Sequence, residues 1–168
     1  TAVAIVRAFF DYYDTPLSRH ELLALADVEE QITHRSPSGL DAATVSSKTP
    51  LYYIKGHEGT PIPMNLQATM VIADTGVKGA TKEAIMAVQE LLKADHEHAQ
   101  THIEHLGQLV DNSRQFLAKG EVFKLGTTLN AAQQDLQALQ VSDDQLDHLI
   151  DVAIHHGALG AKLTGGGR

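Results

Sequence analysis

His34-Arg35-Ser36-Pro37-Ser38-Gly39-Leu40-Asp41, with Glu30 just before it, decides how this chain is read. A second stretch, Gly160-Ala161-Lys162-Leu163-Thr164-Gly165-Gly166-Gly167, answers it near the other end. The first puts a carboxylate behind a tight Pro/Gly loop, and the second sets a Lys beside a glycine run. Carboxylates hold hard cations or accept a proton, and glycine-rich backbone can wrap a phosphate. The pairing points to phosphoryl transfer onto a small molecule.

Composition narrows the class. With 168 residues, 43% of them hydrophobic, the chain can bury a core and form one large domain or parts of two. A net charge of −8 and the absence of any long basic run argue against a nucleic-acid footprint. No stretch approaches the ~18 uncharged apolar residues of a transmembrane helix. The absence of Cys excludes disulfides, thiol chemistry and Cys-ligated zinc, and fits a cytoplasmic setting. The chain opens within an apolar helical run, without Met or a signal sequence, and stops after three glycines, so it reads as a piece of a longer enzyme.

Periodicity and punctuation give the elements. Residues 2–13 read as a mostly buried helix ended by Thr15-Pro16. Ser18-Arg19-His20-Glu21 is a capping box opening a helix to about Ile32, which places Glu30 near the end where a helix dipole disfavours a carboxylate. Strands are expected over Leu51–Ile54, followed by a Gly56–Gly59 turn, and over Gln67–Ala73. Helices are expected over about 82–94, 96–119 and 121–139, the last two punctuated by Gly120 and Gly126. Ser142-Asp143-Asp144-Gln145 reads as another capping box for a helix that ends near His156, with Gly157 after it. A switch from strand to helix near residue 80 gives an α+β fold with segregated helices. The Gly/Pro-rich stretch 56–65 is the expected domain boundary.

Pro-Ser-Gly-Leu-Asp preceded by His, together with Lys-Leu-Thr-Gly-Gly-Gly, resembles the mevalonate branch of the GHMP small-molecule kinases. Residues 28–56, 68–83 and 157–168 carry the resemblance, which extends over most of the chain. It implies a GHMP-kinase-like fold. Residues 1–60 become the back half of the N-terminal, ATP-side domain, and 65–168 a helix-rich α/β-sandwich C-terminal domain truncated at its end. It also implies ATP-dependent phosphorylation of mevalonate to 5-phosphomevalonate, with Mg²⁺, and leaves room for a homodimer. Two readings stand against it: another GHMP kinase acting on phosphomevalonate or a sugar, or a non-catalytic helical binding module.

The resemblance assigns residues as well. Asp41 matches the catalytic base, the local alternative being an N-cap for whatever follows. Glu30, eleven positions earlier, matches the Mg²⁺-binding Glu in preference to Glu29. His34, Ser38 and Gly39 match the acceptor segment, unless Pro37 and Gly39 merely set the turn that aims Asp41. Lys162, Thr164 and Gly165, Gly166 and Gly167 match the family's third motif, beside phosphate and acceptor, although Gly166 and Arg168 depart from its commoner Gly-Ala-Gly text. Thr75 matches a cleft-lining loop. The family's principal ATP-phosphate loop, Gly-Leu-Gly-Ser-Ser-Ala, is absent from these residues. His98, His102 and His105 share one helical face at a zinc-capable spacing, but no companion motif supports a metal, and a solvated face is the expectation.

Overall fold

A computed structural model describes residues 2–33, 38–77 and 81–167, the side chains of Glu30 and Thr33 excepted. It contains helices α1 (Ala2–Tyr12), α2 (Arg19–Thr33), α3 (Leu40–Ser46), α4 (Thr81–Ala94), α5 (His96–Lys119), α6 (Val122–Ala138) and α7 (Asp144–His155), and two short strands, β1 (Leu51–Tyr52) and β2 (Thr60–Pro61). The chain forms two compact units, Thr1–Pro63 and Met64–Arg168.

In the first unit α1, α2 and α3 pack together around Val3, Leu22, Ala26 and Ala42, with Ala2, Val6, Leu17 and Leu23 against them. Burying a side chain such as Leu22 is worth about 1.5–3 kcal/mol. The Ser18 capping box is present in both directions: the Glu21 amide donates to Ser18 Oγ at 3.2 Å, and the Ser18 amide donates to Glu21 Oε2 at 3.0 Å. The Ser18 hydroxyl and amide hold the Glu21 carboxyl below its usual range. The sequence reading of α1 as mostly buried is corrected. Of its described residues only Val3 is buried, while Ile5 and Phe9 are 53% and 61% exposed, because this small three-helix unit covers a single face of α1.

The expected strand 51–54 is cut to two residues. The His57 amide donates to the Ile54 carbonyl at 2.9 Å and Gly56 takes φ 81°, so the turn begins before Ile54 can pair. Antiparallel pairing is confined to Leu51 with Pro61 and Tyr52 with Thr60.

The second unit is helical among its described residues. Asp95 caps α5 by accepting from the His98 amide at 3.2 Å. Gly120, at φ 71°, ends that helix, and Asn65 covers its last carbonyls through Leu117 at 3.0 Å and Ala118 at 2.6 Å. The expected strand 67–73 is absent. A strand needs a neighbour to take its backbone groups, and this unit shows none among the described residues. Val71 and Ile72 stay exposed.

Two further corrections concern turns. Gly126 does not punctuate anything; it lies buried inside α6. The residue capping α7 is Asp143, not Ser142. Its carboxylate accepts from the Gln145 amide at 3.0 Å and the Leu146 amide at 2.8 Å, while the Ser142 hydroxyl is drawn to Asp147 at 2.6 Å.

Candidate active site

In the first unit Gly39 holds φ 74° at the cap position of α3. That left-handed backbone favours glycine. A Cβ there would also lie 2.7 Å from the Tyr53 hydroxyl. Tyr53 donates that hydroxyl to the Ser38 carbonyl at 2.7 Å, and Ser38 Oγ accepts from the Leu40 amide at 3.2 Å. The turn is therefore pinned from both sides just before Asp41. Sequence reading saw Tyr53 only as a strand residue, and nothing local marks its reach of fifteen positions.

Asp41 lies in the first turn of α3, where a negative charge is favoured. The cap position belongs to Gly39 and carries no side-chain cap bond, so capping does not occupy the Asp41 carboxylate. The carboxylate is exposed and makes no hydrogen bond or ion pair among the described residues. The unit also has a cleft of about 200 Å³, lined by Arg19, Asp27, Gly39, Ala43, Tyr53 and Glu58 among others, and Asp41 is not among its lining residues. Arg19 spans its edge, 3.4 Å from Glu58 and 3.5 Å from the Ala43 carbonyl. Glu30 is carried by the last turn of α2, but its side chain lies outside the described residues, as does the whole of His34.

In the second unit Lys162, Leu163 and Thr164 run along α6 into the glycines. Leu163 is buried and Thr164 exposed. The Lys162 ammonium donates to the Leu163 carbonyl, and burial pulls its pKa below the usual lysine value. Gly165 and Gly167 hold φ 80° and 74°. The run is tightly seated: a Cβ on Gly166 would lie 2.6 Å from Thr81 Oγ1, and one on Gly167 would collide with the Val141 carbonyl. The glycine run thus meets the first residue of α4. Thr75 is half-buried and lines a cleft of about 430 Å³ with Asp144, Gln145, His148 and Leu149 of α7.

The histidine face is not simply solvated. His102 and His105 turn Nδ1 towards one buried carboxylate, Asp135 of α6, at 2.7 and 2.8 Å. Only the His102 approach is a hydrogen bond. Asp135 Oδ2 has an imidazole nitrogen close by but no aligned donor. His98 packs edge-on against His102 at 4.6 Å between ring centres. No group of three metal-ligating side chains with metal-holding geometry occurs among the described residues.

No family model matches the chain. Whole-protein comparisons do. It is 33% identical over 167 residues to the mevalonate kinase of Aeropyrum pernix, a match covering 98% of this chain and 51% of that protein. Among solved structures, the L. major mevalonate kinase in complex with R-mevalonate superposes with a TM-score of 0.85 at 26% identity, over 99% of this chain and 52% of the other. The mevalonate kinase of methicillin-resistant Staphylococcus aureus gives 0.72 at 34% identity, with the same two coverages. The chain thus spans about half the length of the curated relatives it matches.

These superpositions fix the class: the fold is the α+β fold of the GHMP small-molecule kinases. Within that class the chain is a homologue of the mevalonate kinases, matched along nearly all of its residues. Neither the phosphomevalonate or sugar kinase alternative nor the helical binding module is favoured by these matches.

Proposed function

We propose that the protein carrying this chain is a mevalonate kinase of the cytoplasm, transferring the γ-phosphoryl group of ATP to the primary hydroxyl of mevalonate. The observation that carries this reading is the superposition of nearly all of this chain on about half of a mevalonate kinase solved with R-mevalonate. The hydroxyl oxygen bonds to the γ-phosphorus, the bond to the β,γ-bridging oxygen breaks, and 5-phosphomevalonate and ADP result. A hydroxyl is a weak nucleophile, and an oriented carboxylate takes its proton as the new bond forms. Asp41 has that role. It is exposed, uncommitted to a cap, and aimed by the turn that Tyr53 and Ser38 pin.

Lys162 is the positive charge of this run; burial disfavours its ammonium form, and being partly withdrawn from water leaves its attraction for phosphate oxygens less screened. Thr164 and the glycines offer a hydroxyl and backbone amides to phosphate or acceptor oxygens. His34, Ser38, Gly39 and Thr75 complete the acceptor contacts in this reading. Mg²⁺, when bound with ATP, neutralises charge on the phosphate oxygens. Glu30 is its proposed protein ligand, and the donor chemistry fits, since a hard cation that keeps several waters needs only one or two carboxylates.

The 168 residues do not include Gly-Leu-Gly-Ser-Ser-Ala, so by themselves they are expected not to phosphorylate mevalonate. The test is ADP release, with a panel of acceptors, by the protein at the length of its relatives. Mevalonate-dependent release supports the reading. Release driven by a sugar or by phosphomevalonate instead of mevalonate refutes it.

A further inference from the structure

One face of α6 carries Gly126, Asn130 and Gln133, at helical spacings of four and three. Alongside it runs the non-helical segment 159–163 that delivers Lys162 and the glycines. The two backbones nearly touch: a Cβ on Gly160 would lie 2.6 Å from the Gly126 Cα. One turn further on, Asn130 Oδ1 accepts from the Ala161 amide at 2.9 Å, and its Nδ2 donates to the Leu159 carbonyl at 3.4 Å. Another turn on, Gln133 Oε1 accepts from the Leu163 amide at 2.9 Å. Alternate amides, 161 and 163, are thus taken by carboxamides from a helix, as a neighbouring strand would take them.

Gln133 is almost wholly buried, 4% exposed, and its other end is committed too. Nε2 donates to Ser142 Oγ at 3.0 Å and to Asp147 Oδ1 at 2.9 Å, and Ser142 donates to Asp147 at 2.6 Å. A buried carboxamide in such a network has both orientation and position fixed, because turning it over would face donor to donor. The Leu163 amide is therefore held at one place, and Lys162 and Thr164 flank it directly.

We infer that Asn130 and Gln133 are positioning residues of the active site, a two-amide clamp on α6 that sets where Lys162, Thr164 and the glycine run stand. This rests on the reading of that run as part of the phosphoryl-transfer site. A misplacement of about 1 Å in such a site can cost about a hundredfold in rate. The clamp supplies no group to the reaction; it acts through Leu163 and its neighbours.

Amide hydrogen exchange in the 168-residue chain and steady-state kinetics of the protein at its relatives' length test this together. Gln133→Met keeps the side chain's length and loses its hydrogen bonds. It is expected to speed Leu163 exchange at least about tenfold relative to amides in the middle of α5. In the enzyme, well below its unfolding temperature, kcat is expected to fall at least about tenfold while KM for mevalonate changes less than threefold. Gln133→Glu keeps the acceptor for Leu163 but loses the donor to Asp147. Its Leu163 exchange and kcat should recover most of the way towards wild type, even where its unfolding temperature does not. If Leu163 and α5 amides accelerate equally in Gln133→Met, or if kcat is unchanged while Leu163 exchange quickens, Gln133 is only a core residue and the inference is wrong. Should the wild-type protein phosphorylate no acceptor, the functional reading falls separately, and Leu163 exchange alone upholds or overturns the clamp.

Discussion

Replacing Gly126 by Ala sets two effects of opposite sign against each other. Gly126 lies within α6, and in an exposed helix interior Gly→Ala gains about 1 kcal/mol. Here the added Cβ would lie 2.7 Å from the Leu159 carbonyl carbon and 2.9 Å from the Leu159 Cβ, closer still to the carbonyl oxygen. The carbonyl carbon and oxygen are backbone atoms of a segment held at Leu159 and Ala161 by Asn130 and at Leu163 by Gln133, and a Cβ does not move with the rotamer, so no rotamer change relieves the overlap. Overpacking in a well-packed interior costs about 1–3 kcal/mol, and a rigid neighbour puts this site at the upper end. The net expectation is a loss of about 2 kcal/mol, or roughly 4–8 °C in Tm for a chain of this size. Gly107→Ala is the internal control. It is exposed in α5 with nothing within 4 Å of the added Cβ, so only the propensity gain remains, about 1 kcal/mol. Thermal unfolding followed by circular dichroism reads both. If Gly126→Ala is as stable as Gly107→Ala, the close approach of α6 and residues 159–160 is not there.

Three further outcomes follow from individual contacts. Asp143→Ala removes the cap of α7 and should cost about 1 kcal/mol in urea unfolding, whereas Ser142→Ala should leave the start of α7 intact by amide exchange. Asp135→Ala removes the acceptor of His102 and the carboxylate that His105 approaches, and should cost about 1–3 kcal/mol, nearer the low end because only the His102 approach is a hydrogen bond; unchanged stability would mean that contact holds nothing. Lys162→Met removes a partly buried ammonium whose pKa is lowered on folding, so the charged form is disfavoured in the folded state. The variant should gain stability at neutral pH, with the gain shrinking as pH rises through the folded and towards the unfolded lysine pKa, and a gain that grows with pH would have the wrong sign.

What the sequence disclosed was local. The Ser18–Glu21 box, Gly120 and Gly157 each act within a few residues, and each stands where its pattern placed it. What it withheld depends on distant partners. Gln67–Ala73 has the composition of a strand but no neighbour in its unit among the described residues. Gly126 reads as punctuation until Leu159 and Gly160 are seen against it. The histidine face looks solvated because Asp135 is on another helix, thirty-three positions from His102. Ser142 and Asp143 are both good caps, and only the pull of Gln133 and Asp147 on Ser142 decides between them. At the candidate site, motif resemblance pointed to Asp41 and the glycine run. Tyr53, Asn130 and Gln133, which pin those loops, belong to no local pattern.

In the proposed reaction Asp41 accepts the proton of the mevalonate hydroxyl. The direct measurement is kcat for mevalonate phosphorylation by the protein at the length of its relatives, wild type against Asp41→Asn, with MgATP affinity determined alongside by calorimetry. The expected result is a fall in kcat of at least about a hundredfold, the scale of a lost general base, with nucleotide affinity little changed. Near-normal turnover in Asp41→Asn would contradict it.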